Sequence, residues 1–424
     1  MEGGTPEPGR SGAHRPGAGP EADGSAADRL PQRIPRGPSG EDHGPPWVEE
    51  RLRLAEAVAG RALPHLGGAP VPHAEARGNV ENLVGWAQVP VGLAGPLLLD
   101  GTDGRREVLV PMATTEGALV ASTSRGMALA GAGGGIRARV VQDELSQHPV
   151  LVYPTVADAI AAARTAEDSF ERFRGLVAGI TSHGSLERVE TDVLGRRLVL
   201  RLLFSTGDAI GINMAAHGAE LCSADLAGRT GAIERYVHGQ DVEKRANARA
   251  LVEGRGRSVL AETVVPRDVL AERARTTPEA MVRVLATYAV GYAHLGTQNW
   301  TLQAANTIAA VFLACGQDVA YVTECATGLL DFDLTEGGDL HASLTLPTML
   351  VGTVGGGSGQ GTAAEALAIL GCAGAGHART LAEIVAGTVL AGDLSLVAAF
   401  ASHEFVASHE RLGRNRPGNR AEGR

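Results

Sequence analysis

The period of hydrophobic and polar positions changes several times along the chain, and the changes mark its elements. Trp47 to about Leu63 follows helical spacing. A Gly- and Pro-rich connection then leads into ENLVGWAQVPVGLAGPLLLDG (81–101), which reads as extended chain with turns. The run Val110 to Gly135, VPMATTEGALVASTSRGMALAGAGGG, predicts a helix capped by Thr115 and packed closely through Ala118, Ala121, Ser122 and Gly126. From Val150 the pattern shifts to an Ala-rich helix (157–166), a second helix near Ser169 to Ile180, and apolar strands at Leu186–Val193 and Arg197–Phe204. Beyond Leu251 the spacing predicts mostly helix, with small-residue faces at 279–296, 303–315 and 379–409, interrupted by the glycine loop GTVGGGSGQG at 352–361. Residues 1–46, rich in Gly, Pro and charge, carry too few apolar groups to offset ordering entropy and are expected to be disordered.

Composition narrows the possibilities. The 424 residues include 57 glycines and only 4% aromatics, so the core must rest on Ala, Val and Leu with close backbone approaches. A net charge of −10, with arginines scattered rather than striped, offers no field for nucleic acid. No apolar run approaches the roughly 20 residues that span a bilayer, and the N-terminus lacks a hydrophobic signal core, so no membrane association is expected and the cytoplasm is the expected location. Cys222, Cys315, Cys325 and Cys372 lack zinc-site spacing and read as small buried hydrophobes.

Several residues then carry a chemical reading. Glu116, lone among threonines and glycines at the head of a small-residue stretch, reads as a buried carboxyl at a helix N-terminus; ordinary first-turn charge pairing is the alternative. Asp208 opens GDAIGINMAAHG, a strand-to-helix junction whose free backbone N–H groups suit a phosphate or ribose. The 352–361 loop, with five glycines between Gly355 and Gly361, is built for close ligand approach or is a plain turn. Its near match to G-x-G-x-x-G (Gly359, Gly361, Ala364) lacks the ribose-binding acid, so a Rossmann domain is not expected. Asp318 ends an apolar helix, so its carboxylate should be drawn inward and need a partner, for which a lysine is the obvious choice. Lys244 on its own reads equally as a surface cation, and His409 as a surface histidine. His403 and His409 stand six apart, on different helical faces, so no metal site is expected.

Together these segments resemble the 3-hydroxy-3-methylglutaryl-CoA reductase family over about residues 47–415. The likeness is carried by ENLVGWAQVPVGLAGPL, VPMATTEGALVASTSRG, GDAIGINM, EGRGRSV, AAN (304–306), ACGQD, GTVGGG and the closing SH. The resemblance implies an α+β fold: a large, mainly helical domain around a central helix (47–148 and 236–424), interrupted by a small ferredoxin-like nucleotide-binding domain (149–235). It implies a homodimer or larger homo-oligomer with active sites between subunits and ENLVG in the contact. It implies NAD(P)H-dependent reduction of an acyl-CoA thioester to mevalonate and CoA. In this scheme Lys244 stabilises the oxyanion, Glu116 supplies protons, Asp318 bridges Glu116 and Lys244, and His409 protonates the departing thiolate. Arg125, Asn306 and Arg245 fall at substrate-binding positions, while Asp208, Gly211, Asn213, Gly355, Gly356, Gly357, Ser182 and His183 line the dinucleotide.

The chain also departs from the family pattern. Gln147 stands where an arginine is usual in G-M-T-R-x-P; Val237 and Glu243 replace a serine and an aspartate; an expected lysine near Ala286 is missing; and Gln303 replaces a histidine. These positions usually grip the substrate carboxylate, so a different acyl-CoA is the alternative substrate, and a non-catalytic CoA- or nucleotide-binding protein is a second alternative. His183 replaces the arginine of a Ser-Arg-Phe segment, but Arg414 can meet a 2′-phosphate, so NADPH is favoured over NADH.

Overall fold

Strands buried on one face or on both build the sheet, and small residues bring the helices close to it. The computed structural model describes residues 30–38, 41–42 and 44–403. The chain runs α1 (Pro45–Ala59), β1 (Val91–Gly101), β2 (Gly104–Ala113), α2 (Leu119–Ala132), β3 (Ile136–Gln147), β4 (Val150–Val152), α3 (Val156–Glu167), α4 (Phe170–Ala178), β5 (Ser185–Leu194), β6 (Arg197–Ser205), α5 (Ile212–Thr230) and β7 (Glu234–Tyr236). It continues through α6 (Ala248–Glu253), β8 (Gly256–Val265), the short α7 (Arg267–Val269), α8 (Pro278–Leu295), β9 (Asn299–Trp300), α9 (Ala304–Ala314), the one-turn α10 (Val322–Cys325), β10 (Gly328–Leu334), β11 (Leu340–Met349), α11 (Gly361–Ile369) and α12 (Ala378–Ala401).

The helices at 157–166, near 169–180, at 279–296 and at 303–315 and the two strands of the 150–230 segment appear within a few residues of their expected bounds. Three expectations are corrected, the first in part. The second half is richer in helix than in strand, as expected, but it also holds an antiparallel ladder of β8, β11 and β10 that the helical spacing did not predict, with Leu344 opposite Ala261 and Leu330 opposite Leu344. The two-residue period of a strand is present in LHASLTLPTM, where Leu340, Ala342, Leu344 and Leu346 alternate with His341, Ser343 and Thr345. The helix after Glu116 begins at Leu119, because Ala118 takes the left-handed conformation (φ 71°); Thr115 is not its cap. Residues 30–38 are packed rather than disordered, with Leu30 and Ile34 against Ala55, Leu63, Leu109 and Ile369, while Arg51 bonds Pro35 O and Asp42; residues 1–29 of the expected disordered stretch lie outside the described residues.

The strands join in the order β7-β4-β6-β3-β8-β11-β10-β9, with β1 pairing β2 and β3, and β5 pairing β6. Strand β3 is shared: residues 137–144 pair β8, and residues 145–147 pair β6. Helix α12 is the axis of the fold. By length and composition it could cross a membrane, against the sequence expectation, but 83% of its apolar window is buried inside the protein. Helix α2 lies so close to it that a Cβ at Gly126 would sit 1.7 Å from the Ala391 carbonyl oxygen. Across this seam Ser122 Oγ meets Ser395 Oγ at 2.8 Å, and Arg125 donates to Ser395 Oγ and O at 2.9 and 2.8 Å. Helix α9 is fixed to α12 by the Gln303 N–H, which donates to Asp393 Oδ1 at 3.0 Å; burial pushes the Asp393 carboxyl up to about 7 against the pull of that bond. All four cysteines are free and buried, as their small-hydrophobe reading requires.

Candidate active site

Glu116 lies on the turn 114–118 that enters α2, with its N–H donating to Thr114 Oγ1 at 3.0 Å. Its Oε1 accepts from Asn306 Nδ2, on the first turn of α9, at 3.2 Å. The seams that bind α2 and α9 to α12 therefore set the distance between these side chains. The carboxyl is exposed in the single chain, which corrects the expectation of a crowded interior: the left-handed Ala118 turns residues 114–117 outward before the helix begins.

Lys244 sits between β7 and α6 with φ 57°, a left-handed backbone that lysine adopts only when its surroundings impose it. Its ammonium lies 3.0 Å from Asp318 Oδ2 and 4.9 Å from the centre of the Tyr321 ring. The expected lysine partner of Asp318 is thus present. The expected burial is not, since the Lys244 and Asp318 side chains are 45% and 43% exposed. Asp318 follows Gly316 (φ 64°) and Gln317 after α9 ends at Ala314, and its Oδ1 caps the 3-10 turn Val319–Tyr321 by accepting the Ala320 N–H at 3.0 Å. Within one chain, among the described residues, Asp318 grips Lys244 and Glu116 grips Asn306; no hydrogen bond joins the two carboxylates.

Beneath Lys244 lies a buried network that sequence reasoning missed. The Lys244 N–H donates to Glu324 Oε1, and Arg255 Nη1 donates to both Glu324 oxygens at 2.8 and 3.1 Å. Burial pushes the Glu324 carboxyl up, and Arg255 and the Lys244 N–H oppose it. Glu243 accepts from Gln147 Nε2 at 2.8 Å, from Arg255 Nη2 at 3.4 Å and from the Tyr321 hydroxyl at 3.3 Å. Gln147, 2% exposed, is therefore already engaged by a carboxylate. The available signals were an arginine inside EGRGRSV and an acid inside the apolar run around Cys325, neither of which reveals its partner.

The two glycine segments converge. Thr353 N–H donates to Asp208 O at 2.8 Å, and a Cβ at Gly352 would meet Ile210 N at 2.9 Å. Gln317 bonds both backbone groups of Gly352, and Gly357 lies against Gly316, which ties this loop to the Asp318 segment. Gly355 and Gly356 have positive φ with open space where a Cβ would stand. Gly211 (φ 82°) precedes α5, whose first turn carries the exposed Asn213 and no side-chain cap. Such a cradle of glycines and free N–H groups fits a dinucleotide. Asp208 is committed within the fold: its oxygens accept from Gly376 and Ala378 N–H at 2.7 and 3.1 Å, at the start of α12. Burial opposes its charge, yet these N–H groups and Arg257 hold its carboxyl below the ordinary value.

Ser182 and His183 lie exposed on the loop before β5, where the His183 N–H donates to Thr181 Oγ1. Arg125 reaches α12 as described above, and Arg245 pairs with Asp241 at 3.0 Å. His409 and Arg414 lie outside the described residues.

A sequence profile described as hydroxymethylglutaryl-coenzyme A reductase matches residues 47–414. The chain is 38% identical over 377 residues to the 3-hydroxy-3-methylglutaryl-coenzyme A reductase of Pyrococcus horikoshii, covering 87% of this chain and 91% of that protein. It is 40% identical to the one from Aeropyrum pernix, covering 86% and 88%. Its fold is similar to that of the class II 3-hydroxy-3-methylglutaryl-CoA reductase of Streptococcus pneumoniae bound to NADPH, with a TM-score of 0.69 at 22% identity over 84% of this chain and 97% of that one.

Proposed function

The chain belongs to the hydroxymethylglutaryl-coenzyme A reductase family, and from that premise we propose that it reduces 3-hydroxy-3-methylglutaryl-CoA to mevalonate and CoA with NADPH. The observation that carries the reading is the Lys244–Asp318 pair at 3.0 Å, an oriented cation with its counter-ion on the loop that also touches the glycine cradle. NADPH supplies the hydrides when bound. Lys244 holds the oxyanion that develops at the thioester carbonyl, and later at the aldehyde carbonyl, in place by its charge. Asp318 keeps the ammonium aimed, and Glu116, oriented by Asn306, moves protons at the carbonyl oxygen. His409 protonates the sulfur that leaves as CoA. In this reading 149–235 is the small nucleotide-binding insert, with α3, α4 and α5 against β5 and β6 in a ferredoxin-like arrangement. The four free thiols fit a reducing cytoplasm.

The acid–lysine site is half open in one chain, and the 79–90 arm carries the exposed Val80, Val84 and Trp86. Both features support a homodimer in which a second copy covers the site and excludes water. A panel of acyl-CoA thioesters assayed for NADPH oxidation tests the substrate; absence of turnover with 3-hydroxy-3-methylglutaryl-CoA alongside turnover of another thioester contradicts the reading.

Two variants probe the parts. His409→Gln is expected to slow thioester reduction about 100-fold, the scale of a lost general acid, and to spare reduction of the free aldehyde, because only the thioester expels a thiol. Equal losses on both substrates would remove this role. Gln147→Arg should not lower KM for 3-hydroxy-3-methylglutaryl-CoA, because residue 147 is buried and bonded to Glu243, so the new guanidinium pairs with that carboxylate rather than with the substrate. A KM about tenfold lower, the scale of one charge-assisted hydrogen bond, would show instead that the side chain reaches the substrate carboxylate.

A further inference from the structure

We propose that Glu324 is a positioning residue for Lys244: its buried carboxylate fixes the Lys244 main chain and so sets the direction of the ammonium. The proposal rests on the reading of Lys244 as the cation that meets the oxyanion. Lys244 is held at both ends by one short stretch of chain. Asp318 takes its Nζ at 3.0 Å, and Glu324 takes its N–H through Oε1. Tyr321, between them, lies with its ring 4.9 Å from the ammonium and its hydroxyl on Glu243, the residue before Lys244. The left-handed backbone at Lys244 needs such a clamp, because nothing intrinsic to a lysine favours φ 57°.

Glu324 is itself immobile. Its side chain is 2% exposed, its two oxygens are held by Arg255, and its carbonyl accepts from the Thr348 hydroxyl at 2.6 Å and the Thr327 N–H at 2.9 Å. Arg255 is in turn anchored on Ser146 O at 3.2 Å, so the clamp is tied to the end of β3 where it pairs β6. A rotation about the Lys244 main chain would swing its long side chain away from Asp318, and a displacement of about 1 Å at a reacting centre can cost about 100-fold in rate.

The competing role for Glu324 is simply to neutralise Arg255, and two substitutions separate the roles. Glu324→Gln keeps the length and an acceptor for the Lys244 N–H but removes the charge; Glu324→Asp keeps the charge for Arg255 but withdraws the oxygen by one methylene. Positioning predicts that Glu324→Asp lowers kcat about 100-fold with KM for NADPH unchanged, while Glu324→Gln stays within about tenfold of the parent. The reverse order, equal effects, or loss of the circular-dichroism signature of the fold in either variant overturns the proposal. Lys244→Ala, measured alongside, keeps the two levels apart. If it retains turnover, the lysine reading itself fails. If it is inactive while Glu324→Asp is fully active, only the positioning role fails.

Discussion

Lys244→Ala is expected to abolish reduction, with kcat falling about 100- to 1000-fold or more, while CoA and NADPH still bind. Removing one preorganised group that stabilises an oxyanion costs about 2.7–4 kcal/mol of transition-state stabilisation, and the ammonium acts on a charge that exists only once hydride has arrived. The variant should remain folded. The Lys244–Asp318 pair is nearly half exposed, where an ion pair contributes about 0–1 kcal/mol to stability. The main-chain bond to Glu324 is kept by alanine, whose left-handed backbone is no worse than that of lysine. Steady-state kinetics with equilibrium binding of CoA and NADPH measure the effect, and undiminished turnover removes Lys244 from the mechanism.

Gly126→Ala is expected to be among the most damaging small substitutions in the described fold. The new methyl would lie 1.7 Å from the Ala391 carbonyl oxygen and 2.5 Å from its carbon, and neither atom can rotate away. Relief requires α2 to move off α12, which breaks the Ser122–Ser395 and Arg125–Ser395 bonds and shifts the Glu116 turn at the head of α2. Overpacking typically costs 1–3 kcal/mol, and a rigid backbone clash belongs at or above about 3 kcal/mol. Gly131→Ala, on the same helix with nothing within 4 Å of its added methyl, should be neutral or gain up to about 1 kcal/mol of helix propensity. Urea midpoints for the two variants should therefore move in opposite directions or by very different amounts; similar shifts would mean that the α2–α12 seam is not tight.

The helices were legible because Ala-rich and apolar spacing repeats over many residues, as at 156–167 and 278–295. β8 and β11 were missed although β11 carries the two-residue alternation of a strand, since the partners that make a ladder lie far away in sequence. At the site, the chemistry-bearing residue types were visible in motifs; the need of Asp318 for a partner pointed to a lysine, and the family resemblance implied that it is Lys244. Burial was misjudged at Glu116 and Asp318, because local apolar neighbours do not say which way a turn points. Glu324 and Arg255 escaped because a buried pair is defined by contacts between the turn entering β8 and α10, which no local pattern encodes. Gln147, read as the loss of a cation, proved also to be the donor to Glu243, so the departure from the family pattern is built into the packing.

The most direct test of the proposed reaction is its stoichiometry. Purified protein incubated with 3-hydroxy-3-methylglutaryl-CoA and NADPH should oxidise two NADPH for each CoA thiol released, with mevalonate as the product by mass. Thiol release without NADPH oxidation, one NADPH per CoA with free aldehyde accumulating, or no reaction under conditions where the Pyrococcus horikoshii enzyme turns over, would contradict it.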